Sequence, residues 1–336
     1  MESEIAKLTR LIKKLPEDRV IDVVELVEKI IEEDKEEEVP DCPHCDVPKP
    51  CVVKFGFKGG KQRYRCNSCL KTFSASTKSA VESSRYGEAV WKQVIRDTLN
   101  GVSLDKTAMG LGMTHNAVFN MRHKILSTVE TSERLEPTIL CGVCEVDDTY
   151  VLESVKGTKI PDEYYREPRK HGAKASKPGI SNEYVSIMAG VSRDGQIYTK
   201  TANRAVPSKT EVEEIFDGRI GPETLILCDG AKGIGSLSKV AEVSNVKNEA
   251  GSFYHINTVN GFHSFIKTRH NNVYHGVATK YLNRYNALFS QVFGSSIEER
   301  TETIYNMLIA RNGKYRRTVS GLKTLGLLDL GQLVNT

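Results

Sequence analysis

The sequence predicts a multidomain α+β protein, on three observations. Two Cys-x-x-Cys pairs bracket a segment of alternating residues near the N-terminal end. A short helical stretch, a glycine turn and a longer helical stretch follow. From about residue 138, three strand-like runs precede alternating helices and strands. A chain of 336 residues has room for more than one core.

Residues 1–38 read as a helical hairpin. Pro16 suits the first turn of its second helix, where Val20, Val23, Val24, Val27, Ile30 and Ile31 recur at helical spacing. The other face is acidic and reads as solvated, with packing or self-association as its role. Residues 40–76 hold Cys42-Pro43-His44-Cys45 and Cys66-Asn67-Ser68-Cys69. Two residues between cysteines let both thiolates reach one ion, and two such knuckles complete a tetrahedral Zn²⁺ site. The stretch between them alternates like a hairpin with Gly59-Gly60 at its tip, which describes a zinc ribbon. So short a segment buries little, and the metal supplies its folding free energy. His44 and Cys51 stay open as substitute ligands. Lys54, Lys58, Lys61, Arg63 and Arg65 interleave with Phe55, Phe57 and Tyr64, a pattern suited to nucleic acid or to a solvated basic face.

Residues 86–130 predict three helices, at about 87–99, at 104–110, and from just after Thr114. Ser103 and Thr114 are the N-caps, and Gly112 lies in the turn. This is the order of a helix-turn-helix DNA-binding domain. Val118, Met121 and Ile125 make its core face. His115, Asn116, Asn120, Arg122, His123 and Lys124 are then left outward, able to reach base edges or phosphates.

Residues 138–312 predict a mixed sheet with helices on its faces. The strand at 140–152, LCGVCEVDDTYVL, places Glu145 and Asp147 on one face and Asp148 on the other. Carboxylates packed in an apolar strand repel, and a hard divalent cation such as Mg²⁺ or Mn²⁺ offsets that repulsion. A solvated acidic edge is the competing reading. Runs at 184–192 and 196–202 should form a hairpin with this strand. A helix at 208–216 starts on a capping box, Ser208 to Glu211. The run TLILCDG is a buried strand ending on Asp229, where open α/β sheets place ligands. A helical stretch at 232–243 and a short strand near 253–256 follow. In the next helix Asn260, His263 or Ser264, and Lys267 share one face, with Phe262, Phe265 and Ile266 opposite. Residues 276–292 and 297–311 read as closing helices and 313–336 as a tail. The basic loop 156–182 is either a surface insertion or a segment that a polyanion orders.

Net charge is +4, but residues 1–41 carry seven Lys and Arg against fourteen Asp and Glu, a balance of −7. The remainder therefore holds +11 and favours a polyanionic partner. The paired spacing of four of the eight cysteines points to a metal in a reducing compartment rather than to disulfides. No run approaches the ~20 apolar residues that span a bilayer, and the N-terminus lacks a signal-peptide core. The expected location is cytoplasmic, close to the nucleoid.

The chain resembles the bacterial insertion-sequence transposases of the DDE superfamily, in the ISXO-like group. The residues that carry the resemblance are CPHC with CNSC, EVDDTY, LCDG and HINTVNGFHSFIK with GVATKYLNRYN. It implies an RNase-H-like core at 138–312. Asp147, Asp229 and Asn260 would be the three ligands of two Mg²⁺ (or Mn²⁺) ions, and Lys267 the accompanying lysine. Asn260 departs from the usual Glu: its amide oxygen coordinates without charge and is no base. Glu145 and Glu249 are the nearby acids that could make up the difference. The implied reaction is phosphoryl transfer, with strand cleavage and strand transfer at terminal inverted repeats. The implied partners are double-stranded repeat and target DNA and a second copy of the chain, with no membrane. Rival readings are a DNA-binding regulator on a decayed core and a structure-specific nuclease of the same fold.

Overall fold

The computed structural model describes residues 39–45, 51–59, 61–157, 174–246 and 252–310. The hairpin expected at 1–38, most of the basic loop, Glu249 and the tail lie outside them. The chain divides into two compact units between Thr77 and Lys78.

The first unit is a three-stranded antiparallel sheet of β1 (Val52–Lys58), β2 (Lys61–Cys66) and β3 (Thr72–Ser74) in that order. Its register slips between Lys54 and Phe57, where Gly56 at φ +67° absorbs an extra residue. Val52, Tyr64 and Phe73 pack with Cys42 and Cys66 into a small core. Tyr64 reads with Phe55 and Phe57 as one of the aromatics interleaved with the cations. It is buried, stacked on Phe73 at 5.7 Å, because it alternates with the outward Arg63 and Arg65.

The second unit opens with α1 (Glu88–Asn100), α2 (Leu104–Gly110) and α3 (His115–Leu135). Gly101 ends α1 at φ +75°, and its N–H returns to the carbonyls of Asp97 and Thr98. The Ser103 and Thr114 hydroxyls accept from the Lys106 and Ala117 amides, so both predicted caps are made. The boundary expected at residue 130 falls within α3, and the three helices share one core with later ones. Trp91, Ile95, Val118, Ile125 and Val129 join Phe262, Leu288, Ile304 and Leu308 in that core.

The sheet holds β4 (Val143–Leu152), β5 (Tyr184–Ser192), β6 (Ile197–Arg204), β7 (Leu225–Cys228) and β8 (Glu242–Asn245), ordered β6-β5-β4-β7-β8. The β4–β5–β6 meander is antiparallel, while β7 and β8 run parallel to β4. One face packs α4 (Lys209–Phe216), with Val146, Met188, Phe216 and Ile226 in its core. A Cβ on Gly190 would lie 2.4 Å from Leu140 Cδ1 and 3.1 Å from Phe216 Cε1, so glycine lets both side chains close over β5. The other face packs α5 (Asn257–Thr268), with α6 (Leu282–Val292) and α7 (Ile297–Ile309) beyond it in the same core.

Two expectations need correction. The last strand is β8, inside the stretch read as helical, and residues 252–256 form none. Only Ile234–Lys239 turn, as a 3₁₀ helix. The short run Glu242–Asn245 pairs because β7 offers it a free edge, a constraint its own pattern does not carry.

Candidate active site

Alternation along β4 decides which acids meet. Cys144 and Val146 enter the core under α4, so Glu145 and Asp147 project toward α5. Glu145 pairs with Leu227 on β7, and continuing that parallel register sets Asp229 level with Asp147. Asp229 follows the last residue of β7 and is exposed; its Oδ1 accepts from Ala231 N at 3.1 Å. Gly230, at φ +89°, then turns the chain away. Asp148 accepts from the Tyr150 hydroxyl at 2.6 Å. Burial pushes its carboxyl up. That hydroxyl opposes the rise, and the charges of Asp147 and Asp229 add to it. Three carboxylates therefore share one electrostatic neighbourhood where β7 stops and β4 continues.

α5 crosses the same face. Val259, Phe262 and Ile266 fix it to the core, and Asn260, Ser264 and Lys267 are exposed. His263, offered by the sequence only as an alternative to Ser264, is the residue that reaches an acid. It is buried, with Nδ1 3.5 Å from Asp147 Oδ2, and its Nε2 has no partner among the described residues. Asp147 is thus brought beside His263, and the β4–β7 register, continued two residues past its last pair, directs it toward Asp229. Asn260 and Lys267 share the helical stripe of His263, one turn before and after it. Among the described residues neither forms a hydrogen bond or ion pair with the two acids.

Glu145 was one of two candidates to replace the missing third carboxylate. It is not free to do so. Its side chain is fully buried, with Oε1 accepting from Thr258 Oγ1 at 2.9 Å and Oε2 from Val259 N at 2.8 Å. Arg193 Nη2 sits 2.9 Å from Oε1 and His255 Nδ1 3.5 Å from it.

The four predicted cysteines converge. Cys42 and Cys69 sulfurs are 3.6 Å apart, Cys45 and Cys66 sulfurs 3.5 Å, and all four lie within 4.8 Å of one another. A tetrahedron with ~2.3 Å metal–sulfur arms has edges of ~3.8 Å, so the set fits one thiolate-bound ion. The Cys69 backbone N–H pulls the Cys66 thiol down to about 6, against the effect of its burial. Neither His44 nor Cys51 joins the cluster.

The residues expected to face DNA divide in two. His115 and Asn116 are exposed, and Asn120 is half-buried. Arg122 is buried; its Nη2 donates to the Val102 carbonyl at 2.6 Å and its guanidinium lies over Tyr274. His123 is buried between the rings of Phe119 and Tyr281. Lys124 is half-buried, its Nζ on the Ala80 carbonyl at 3.1 Å. The outward placement expected for these three fails because α3 is enclosed on a second side, by Ala80 and Val102 before it and by Tyr274 and Tyr281 far after it. On the first unit Lys61 is exposed, with Phe55 and Phe57. Arg63 is half-buried, its Nη2 on Thr72 Oγ1, and with Arg65 it lies over the Phe55 ring.

Residues 139–290, a little under half of the chain, match the ISXO2-like transposase domain. No curated protein matches the chain. Similar solved structures include a pre-cleavage Mos1 transpososome, at 12% identity over 70% of this chain and 84% of that one, with TM-score 0.22. The Mos1 strand transfer complex is 11% identical over 71% and 82%, with TM-score 0.25. No helix among the described residues is long and apolar enough to cross a membrane.

Proposed function

We propose that the chain is an insertion-sequence transposase that binds terminal inverted repeats and performs Mg²⁺-dependent strand cleavage and strand transfer. The observation that carries this reading is the parallel pairing of Glu145 with Leu227, which directs Asp147 and Asp229 two residues on toward each other, with His263 of α5 3.5 Å from Asp147. The strand order and directions support an RNase-H-like description of the core. Asp147 and Asp229 supply hard anionic oxygens, and Asn260 adds a neutral amide oxygen from α5. Two divalent ions held there would activate a hydroxyl nucleophile and stabilise the departing oxygen of an in-line displacement. His263 steadies the Asp147 carboxylate from the buried side. Lys267, exposed farther along α5, binds a phosphate beside the scissile bond. In cleavage, water attacks a phosphodiester and a 3′-hydroxyl leaves. In strand transfer that 3′-hydroxyl attacks a target phosphodiester and displaces its 3′-oxygen.

The cysteine cluster suits structural Zn²⁺. The ribbon, through Lys61 and Arg63, and the α2–α3 helix-turn-helix, through His115, Asn116 and Asn120, bind the repeats. Joining two ends requires at least a dimer. The neutral Asn260 favours a second reading, a regulator that binds without cutting.

One assay separates these. With Mg²⁺ and duplexes of the DNA ends flanking the gene, the parent chain nicks and joins, and Asp147→Ala or Asp229→Ala lowers cleavage at least ~10³-fold. Binding without cleavage by the parent would support the regulator. Cleavage of branched DNA without joining would support a nuclease. Undiminished cleavage by both variants would refute the assignment of these acids.

A further inference from the structure

Glu145 is a fully buried carboxylate whose two oxygens carry four contacts from three parts of the chain. Thr258 Oγ1 and Val259 N hold it to the first turn of α5. Arg193, in the turn between β5 and β6, gives it a charged partner at 2.9 Å. The same guanidinium reaches the carbonyls of Phe253 and His255, both at 3.3 Å, and the His255 ring at 3.2 and 3.3 Å. One charge thus ties β4, the β5–β6 turn, the 253–255 approach and the start of α5 together. A buried carboxylate is costly unless compensated so fully, and once compensated it is hard to shift. It also sits two positions before Asp147 on the same face of the same strand, and it grips the helix just ahead of Asn260.

We infer that Glu145 is a positioning residue: it sets the distance between Asp147 on β4 and Asn260 on α5, and so the fit of the site for a divalent cation. The inference rests on the metal-site reading above. An amide ligand binds cations more weakly than a carboxylate, so affinity at such a site depends more heavily on geometry held from outside it. Glu145→Gln keeps the shape but removes the charge that Arg193 neutralises. Thr258→Val removes one hydrogen bond and leaves the rest of the clamp.

The test uses the full chain and Mn²⁺ alone, with amide hydrogen exchange as a second readout. Glu145→Gln is expected to stay folded, to bind Mn²⁺ about tenfold more weakly and to exchange the Val259 and Asn260 amides faster. Thr258→Val should move both readouts the same way by about threefold. The Mg²⁺ midpoint for end cleavage should rise in parallel, with most of the rate recovered at saturating metal. Folded Glu145→Gln with parental Mn²⁺ affinity overturns the positioning role, and unchanged exchange at the start of α5 overturns the clamp itself. If the parent chain and Asp147→Ala bind Mn²⁺ equally, the metal site is what fails. The exchange data then decide alone whether Glu145 holds the helix.

Discussion

Arg122 and Asn116 sit on one helix under different constraints. Arg122 is enclosed, satisfies the Val102 carbonyl and lies over Tyr274. Arg122→Ala would leave that carbonyl without its donor. Denaturant unfolding should show a loss of about 1–3 kcal/mol. Asn116 is exposed in the first turn of α3. Asn116→Ala should leave stability within about 0.5 kcal/mol of the parent while weakening binding to end DNA, measured by titration on a labelled duplex. Equal stability losses would mean that both side chains serve the fold. The cysteines show the same division. Burial pushes the Cys144 thiol up to about 12, so it is an inert core group, whereas Cys66 is drawn toward the thiolate.

At the scale of elements, the three-stranded unit has little beyond Val52, Tyr64 and Phe73 to hold it, so the zinc proposed for its four cysteines would carry much of its fold. Metal analysis should find one zinc per chain, and a strong chelator should abolish hairpin amide protection in residues 52–66. Retention of that protection without zinc would show that the apolar core suffices. The hairpin, the helix caps and the β4–β5–β6 meander were legible because each is coded locally, by turn residues, hydroxyl caps or period-two alternation. β8 was not, since its pairing is imposed by β7. Neither was the second buried side of α3, which Tyr281 and its neighbours close from far along the chain. Of the candidate site, Asp147 and Asp229 stand out in the sequence as acids set in or just after apolar strands. His263 left only a position on a helical stripe, and the occupied state of Glu145 left no local trace.

For the molecule as a whole, the buried imidazoles of His123 and His270 contribute to its response to acid. Burial, reinforced by the charges of Arg284, Arg122 and Lys280, pushes His123 down to about 3. Burial pushes His270 down to about 4, although its Nε2 donates to Asn286 Oδ1 at 2.9 Å. Unfolded histidine titrates near pH ~6.5, so below that value the unfolded chain takes up protons that the folded chain refuses. Stability is therefore intact above pH ~6.5 and falls as pH drops toward ~4, by about 1.4 kcal/mol per pH unit for each imidazole. Thermal melts from pH 7.5 to 4.5 should show the decline, and His123→Phe should make it shallower. A pH-independent melting temperature over that range would contradict the burial of both rings. The tether of α5 also bears on how the chain rejects a wrong pairing. If β4 slipped by one residue, Asp148 would take the place of Asp147, and a carboxylate would still face the helix. Val146 would then stand where Glu145 belongs, and the first turn of α5 would meet a methyl group instead of an acceptor. The misthreaded chain would keep its acid and lose its anchor, so fidelity of threading is enforced by the neighbour that does no chemistry.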